Sequence, residues 1–356
     1  MDAHALRHRF PSLARTAYLN AGTNGPVAEA AVSAAEGELR AQRDDGRVLA
    51  HYERRNELQE ALRTAYAGLL NCAPGEIALT TSTSEGLGRV LAGLPLGPGD
   101  EILTSDQEHP GLLGPLLAAR ARGARIRTAP LSGLAGHVTR ATTLVACSHV
   151  GWISGELADP ALAEVDVPVV LDGAQGAGAV PVDVRALNCA AYSAAGQKWL
   201  CGADGTGLLY VGPECFERMT AVAPSYISFA DASLGLDSTL RDDARRHDTP
   251  SLARESVAFN LAAIDALAPD GWAPVHERAR GLATDLARRL AEAGREVAPR
   301  ADTTLVAWAD PDPAATRERM AQAGVVVRNL PRAPYLRASV GAWNDESDLE
   351  RLIAAA

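Results

Sequence analysis

No stretch of this chain approaches the roughly 20 consecutive apolar residues that a membrane-spanning helix needs. The first eleven residues carry two Arg and two His and no apolar core, which is not the pattern of a secretory signal. Internal repeats and low-complexity tracts are absent. Cysteine is sparse. Cys72, Cys147, Cys189, Cys201 and Cys215 are odd in number and have neither CxxC nor any other metal-ligand spacing. The sequence therefore predicts a reduced, cytoplasmic protein with no metal site. Positive charge is in deficit, with 34 basic against 44 acidic residues and a net charge of −10. That balance argues against binding a nucleic-acid backbone. What remains is a globular composition: 47% hydrophobic, 22% charged, mean hydropathy −0.05. It excludes a disordered chain, and 356 residues correspond to about two domains.

The scarcest residue is the most informative. Of the 34 basic residues, 33 are Arg and one is Lys, at position 198. Guanidinium serves surface charge, ion pairs and phosphate contacts, but with a pKa above ~12 it does not deprotonate and attack a carbonyl. An ε-amino group can, which is the basis of lysine Schiff-base chemistry. The lone lysine is either a remnant of compositional drift or a retained nucleophile. Its surroundings, Ser193-Ala-Ala-Gly-Gln-Lys198-Trp-Leu-Cys-Gly202, are small and apolar rather than a charged face, which favours the nucleophile.

Short β-branched runs alternate with Ala-rich, Arg/Glu-studded stretches of helical spacing, as in a mostly parallel α/β sheet. Strands are predicted at 77–80, 101–104, 125–128, 143–147, 167–171, 190–193 and 207–211, with helices at 27–45, 51–70, 84–92, 111–122 and 251–267. The rhythm changes after about Ala268. A helix at 274–293, strands at 304–309, 325–328 and 335–339 and a closing helix at 346–354 predict a smaller α+β unit. The expected division is an N-terminal segment 1–20 lining the active site, a large domain 21–250 and a small C-terminal domain 251–356.

Twenty-six residues before the lysine, Val169-Val-Leu-Asp-Gly-Ala-Gln-Gly176 reads as a buried strand ending in a carboxylate. Strand ends are where open α/β sheets bind ligands. Asp172 is either a turn-capping residue or the acid that keeps a pyridine nitrogen protonated, making the ring an electron sink. Ala78-Leu-Thr-Thr-Ser-Thr-Ser-Glu-Gly-Leu-Gly88 places five hydroxylated residues between a strand and a helix start. Such a turn caps the helix and can also cradle a phosphate dianion. His109, in Thr104-Ser-Asp-Gln-Glu-His-Pro-Gly111, follows another strand end, where an imidazole either stacks on a planar ring or is merely solvated. Trp152, in Cys147-Ser-His-Val-Gly-Trp-Ile-Ser-Gly155, is either a core aromatic or a site residue.

The succession of these motifs, closed by Gly205-Thr-Gly-Leu-Leu-Tyr-Val211, resembles the class V aminotransferase family of fold-type I pyridoxal-phosphate enzymes. That family includes cysteine desulfurases, C–S lyases, isopenicillin N epimerase-like proteins and kynureninase. The resemblance runs from Phe10-Pro-Ser-Leu and Tyr18-Leu-Asn20 to Leu336-Arg-Ala-Ser-Val-Gly-Ala-Trp-Asn344. It implies pyridoxal 5'-phosphate as cofactor and a large domain with a seven-stranded, mostly parallel sheet. By the same resemblance Lys198 forms the internal aldimine and shuttles the α-proton. Asp172 pairs with the pyridinium nitrogen, Gln175 meets the ring hydroxyl and His109 stacks on the ring. Thr83, Ser84 and Gln197 hold the phosphate, and Thr249 reaches the site of the partner in a homodimer. Arg337 takes the substrate carboxylate, with Asn20, Ala21 and Trp152 lining the substrate pocket.

Two departures from the family pattern bear on the reaction. Cysteine desulfurases carry a nucleophilic cysteine shortly before the carboxylate arginine, whereas Val325–Arg337 contains none. The Ser-x-His that commonly precedes the lysine is replaced by Ala195-Gly-Gln197. The expected activity is therefore C–S β-elimination from a cysteine-derived amino acid. The alternatives are an aminotransferase or epimerase of a biosynthetic pathway and, from another class, a cofactor-binding homologue without turnover.

Overall fold

The computed structural model describes residues 2–331 and 333–356. A short helix, α1 (Ala3–His8), and a two-residue strand, β1 (Ala17–Tyr18), lead into two long helices, α2 (Glu29–Asp45) and α3 (Leu49–Leu70). Strands and helices then alternate: β2 (Ile77–Thr80), α4 (Thr83–Gly93), β3 (Glu101–Ser105), α5 (Pro110–Ala121) and β4 (Arg125–Ala129). The strands β5 (Thr142–Ser148), β6 (Val169–Asp172), β7 (Ala191–Ala195) and β8 (Gly207–Val211) follow, and then the short helix α6 (Pro213–Arg218).

β2 to β8 form one seven-stranded sheet in the order β2-β8-β7-β6-β5-β3-β4. Every neighbouring pair is parallel except those of β8, which runs antiparallel to β2 and β7. β2, β3, β6, β7 and β8 are buried along their whole length. Full burial follows from helices covering both faces, and it explains why these strands read as continuous apolar runs rather than alternating ones. At the edge, β4 is buried only at Ala129.

The rest of the chain comprises α7 (Arg254–Leu267), α8 (Ala273–Glu292), β9 (Leu305–Ala309), α9 (Pro313–Gln322), β10 (Val325–Val326), β11 (Arg328–Asn329), β12 (Tyr335–Ser339) and α10 (Glu346–Ala355). β11, β12 and β9 form an antiparallel three-stranded sheet, while β10 pairs with β1. α8 starts at a proline in its first turn, where the missing N–H costs nothing. Its buried Val275, Ala279, Ala283, Leu286 and Leu290 recur three or four residues apart and so share one face.

The N-terminal segment is shared between the two units. Ala17 and Leu19 pack in the cluster of Leu286, Trp308 and Leu336, and Arg7 donates two hydrogen bonds to the Asp348 carboxylate at 2.7 and 3.0 Å. Leu6, Phe10 and Leu13 instead belong to the main core cluster, and the Arg9 carbonyl accepts from the Glu29 amide while its guanidinium donates to the Ala266 carbonyl. A division at residue 250/251 would also separate α7 from α2 and α3, the helices against which it packs. The predicted strand 325–328 is two strands with different partners, β10 against β1 and β11 against β12.

Candidate active site

The carboxyl ends of the parallel strands converge. Asp172 closes β6 and Ser148 closes β5 as its register partner, while Ser105 closes β3. Lys198 stands three residues beyond β7. Asp172 is 4% exposed and accepts a hydrogen bond from the Ala174 amide at 2.9 Å. Burial raises its pKa, and the Lys198 charge opposes that rise. The Lys198 amine is pushed down to about 8 by burial. Asp172 holds it up, and Arg337 and Arg328 push it further down. An amine near 8 is deprotonated in an appreciable fraction at neutral pH, as a carbonyl-capturing lysine must be.

His109 caps α5, its Nδ1 accepting from the Gly111 amide at 3.0 Å. Burial, then the charges of Lys198, Arg328 and Arg337, push its pKa down to about 4. The ring is therefore neutral at physiological pH, with its proton assigned to Nε2 because Nδ1 is an acceptor. Trp152 meets it edge to face, centroids 5.1 Å apart.

The α4 N-terminus supplies hydroxyls. Ser82 caps the helix by accepting from the Glu85 amide at 3.1 Å. The Thr83 Oγ1 is buried without a partner, as is the Gln197 Oε1. Ser84 is exposed beside the start of α5, where a Cβ on Gly111 would lie 2.7 Å from its Oγ. Thr249 turns to its own chain. Its hydroxyl donates to Glu85 at 2.6 Å and accepts from Arg89 at 3.3 Å. Burial pushes Glu85 up, but Thr249, Thr81 and Arg89 together hold it at about 2.

Arg337 is fully buried on β12. One Nη donates to the Trp152 carbonyl, while Nε and the other Nη have no partner. Its pKa is pushed down to about 9 by burial and by Arg328. Gly22 faces it so closely that a Cβ there would lie 2.7 Å from Arg337 Nη2 and from Ser339 Oγ, and 2.8 Å from Gln175 Oε1. Gln175 is already engaged, donating to the Gly22 carbonyl at 2.8 Å and accepting from Trp199 Nε1 at 3.0 Å. Asn20 bridges Ser339 and accepts from Thr23 Oγ1 at 2.8 Å, and Ala21 is fully buried beside it.

Sequence reasoning missed Arg328. It is the cross-strand partner of Arg337, so both side chains leave the same face of the small sheet. Its Nη1 donates to Thr23 Oγ1 at 3.1 Å, and its charge acts on Lys198, His109 and Arg337. Among 33 arginines it has no local signature. The signal was the hairpin, which sets position 328 opposite 337.

Buried polar atoms without partners are rare in folded proteins. Among those in this chain are Thr83 Oγ1, Gln197 Oε1, Trp152 Nε1, Ser339 Oγ and two Arg337 nitrogens, all on residues of this site; others lie elsewhere in the fold. The set fits a planar aldehyde that carries a basic ring nitrogen and a phosphate, together with a substrate carboxylate.

The family model for Aminotransferase class-V matches residues 32–352. Isopenicillin N epimerase of Streptomyces clavuligerus is 29% identical over 333 residues, 82% of each chain. The cysteine desulfurase CsdA of Escherichia coli is 32% identical over 236 residues, which are 60% of this chain and 58% of CsdA. Among solved structures, the complex of the cystine C–S lyase C-DES with its reaction product cysteine persulfide superposes with a TM-score of 0.90. It is 27% identical and covers 97% of this chain and 98% of that one.

Proposed function

The chain belongs to the aminotransferase class-V family of fold-type I, pyridoxal-phosphate-dependent enzymes, and from that premise we propose that it eliminates a sulfur leaving group from the Cβ of a cysteine-derived amino acid. Bound beside Lys198, pyridoxal phosphate supplies an electron sink for charge developing at the substrate Cα. Lys198 would hold the cofactor through its amine and would serve as the base that takes the proton from the substrate Cα. Asp172 would keep the ring nitrogen protonated, and His109 would face the ring as a neutral imidazole. Gln175 offers its remaining N–H to the ring hydroxyl. Thr83, Ser84 and Gln197 hold the phosphate at the start of α4, where helix dipole and free amides favour a dianion. Arg337 grips the α-carboxylate, with Asn20, Ala21 and Trp152 as pocket wall.

In the elimination the Cα–H pair becomes the Cα=Cβ bond as the Cβ–S bond breaks, and sulfur leaves with its electron pair and is protonated. For cystine, water then completes the balance: one cystine and one water give pyruvate, ammonia and cysteine persulfide. Arg328 favours such a substrate, because a second guanidinium beside Arg337 suits a second carboxylate.

The state of the thiols carries the choice of lyase over desulfurase. A sulfur acceptor must be a thiolate, and burial raises all five cysteines: Cys72 and Cys189 to about 12, Cys215 to about 11, and Cys147 and Cys201 also well above the ordinary range. The test is to incubate the loaded enzyme with cystine and assay pyruvate against keto-acid exchange and against inversion at Cα. Pyruvate formation, abolished in Lys198→Ala, supports the lyase. Absent pyruvate with keto-acid exchange or inversion assigns the aminotransferase or epimerase reaction instead, and no change with any amino acid leaves a binding protein.

The same reading includes a homodimer, supported by apolar side chains exposed along α2 and α3: Val32, Leu39, Leu49 and Tyr52. Thr249 would reach the neighbouring site only by leaving Glu85. Light scattering of the loaded enzyme tests the assembly, and a mass of one chain refutes it. Among the described residues no helix is long and apolar enough to cross a membrane.

A further inference from the structure

Glu108 is a buried acid to which the chemistry above gives no part. It precedes His109 on the loop between β3 and α5 and is 6% exposed. Its Oε1 accepts from Ser105 Oγ, at the end of β3, at 2.5 Å, and from the Ser148 amide, at the end of β5, at 2.9 Å. Its Oε2 accepts from Ser148 Oγ at 2.6 Å. Ser148 is in turn the register partner of Asp172. One carboxylate thus laces together two neighbouring strand ends, immediately before the imidazole and one strand away from the ring-nitrogen acid.

We propose that Glu108 is a positioning residue of the cofactor site, clamping β3 to β5 so that His109 and Asp172 stand at fixed places on the bound ring, and that its charge tunes the Asp172 carboxylate. Three donors converging on one acceptor-only group is the geometry of an ionised carboxylate. Burial opposes ionisation and pushes Glu108 up to about 7; the Ser105 and Ser148 hydrogen bonds lower it, and the Asp172 charge raises it. The Asp172 charge from β6 acts on Glu108, and the Glu108 charge in turn raises the Cys147 thiol on β5. His109, on its own loop, is neutral at that pH. Coupling between two such charges is reciprocal, so a proton exchanged at Glu108 near neutrality would be felt at Asp172. None of this depends on whether elimination, transfer or epimerisation follows.

The test uses the pyridoxal-phosphate-loaded protein and two readouts other than turnover. These are visible absorbance of the bound cofactor against pH, and its visible circular dichroism, which reports how the ring is held. In the wild type the absorbance carries a component with a midpoint near 7. Glu108→Gln keeps the shape and loses the charge, so it loses that component and retains the dichroic band. Glu108→Ala removes the clamp and weakens the band. Should Glu108→Ala fail to fold, Ser148→Ala, which removes one of the three donors, serves that arm in its place. An unchanged pH profile in Glu108→Gln, or a wild-type dichroic band in the clamp variant, overturns the proposal. Failure of the pyruvate assay touches neither readout.

Discussion

Arg337 is an ionised group held in the protein interior for a partner that arrives later, and its replacement has opposite consequences for stability and for binding. Its guanidinium is fully buried, with a single hydrogen bond, to the Trp152 carbonyl. A fall from the ordinary 12.5 to about 9 corresponds, at about 1.36 kcal/mol per pH unit, to about 5 kcal/mol carried by the folded protein without ligand. For a base whose folded pKa is depressed, that cost is present in full below about 9 and fades as pH rises toward 12.5. Arg337→Met keeps most of the volume and removes the charge. It also leaves the Trp152 carbonyl without a donor, which costs about 1–3 kcal/mol. The net expectation is an apoprotein more stable by about 2–4 kcal/mol, as is common when a buried uncompensated charge becomes apolar. The same change removes a charge-assisted contact to the substrate carboxylate, so kcat/KM falls by at least about 100-fold. Urea denaturation of the apoprotein at two pH values below 9 reads the first effect, and steady-state kinetics the second. An apoprotein destabilised by more than about 1 kcal/mol, or undiminished kcat/KM, would refute the reasoning that this arginine is a pre-installed carboxylate receptor.

Three further outcomes follow from the same geometry. The rate at which apoprotein captures pyridoxal phosphate should rise with pH through a midpoint near 8, set by Lys198; rapid-mixing absorbance checks it, and a midpoint near the ordinary 10.5 would contradict it. Thr83→Val removes an oxygen that already lacks a partner, so it should leave apoprotein stability within about 0.5 kcal/mol while weakening cofactor binding about tenfold, read by equilibrium titration. Gly22→Ala pushes a methyl group against Arg337, Ser339 and Gln175, so it should raise KM for the amino acid and weaken cofactor binding as well, read by steady-state kinetics and equilibrium titration.

Elements with a wide buried face were legible in the sequence, and those with little to bury were not. The strands of the large sheet are short apolar runs closed by turns, and α8 has five buried positions on one stripe. By contrast α9 buries only Thr316 and Met320, too few for periodicity, although Asp312 capping the helix and Pro313 at its start are a readable beginning. β1 and β10 have two residues each, below any pattern length, and exist only because each finds the other across more than 300 residues. The site divides in the same way. Lys198, Asp172 and the hydroxyl turn are announced by local sequence, because each occupies a strand end or helix start. Arg328 and Glu108 are not. One depends on a cross-strand pairing and the other on hydrogen bonds from two strands, and neither is encoded in adjacent residues.

A surface charged by guanidinium alone keeps its positive charge to strongly alkaline pH, because a solvent-exposed arginine does not titrate below ~12. With every other basic side chain an arginine or histidine, acylating, glycating and amine-bridging reagents find no lysine on the outside of the molecule. Such electrophiles are left to compete for the chain terminus and the shielded nitrogen at position 198, where uptake of one equivalent would itself report whether the pocket is open.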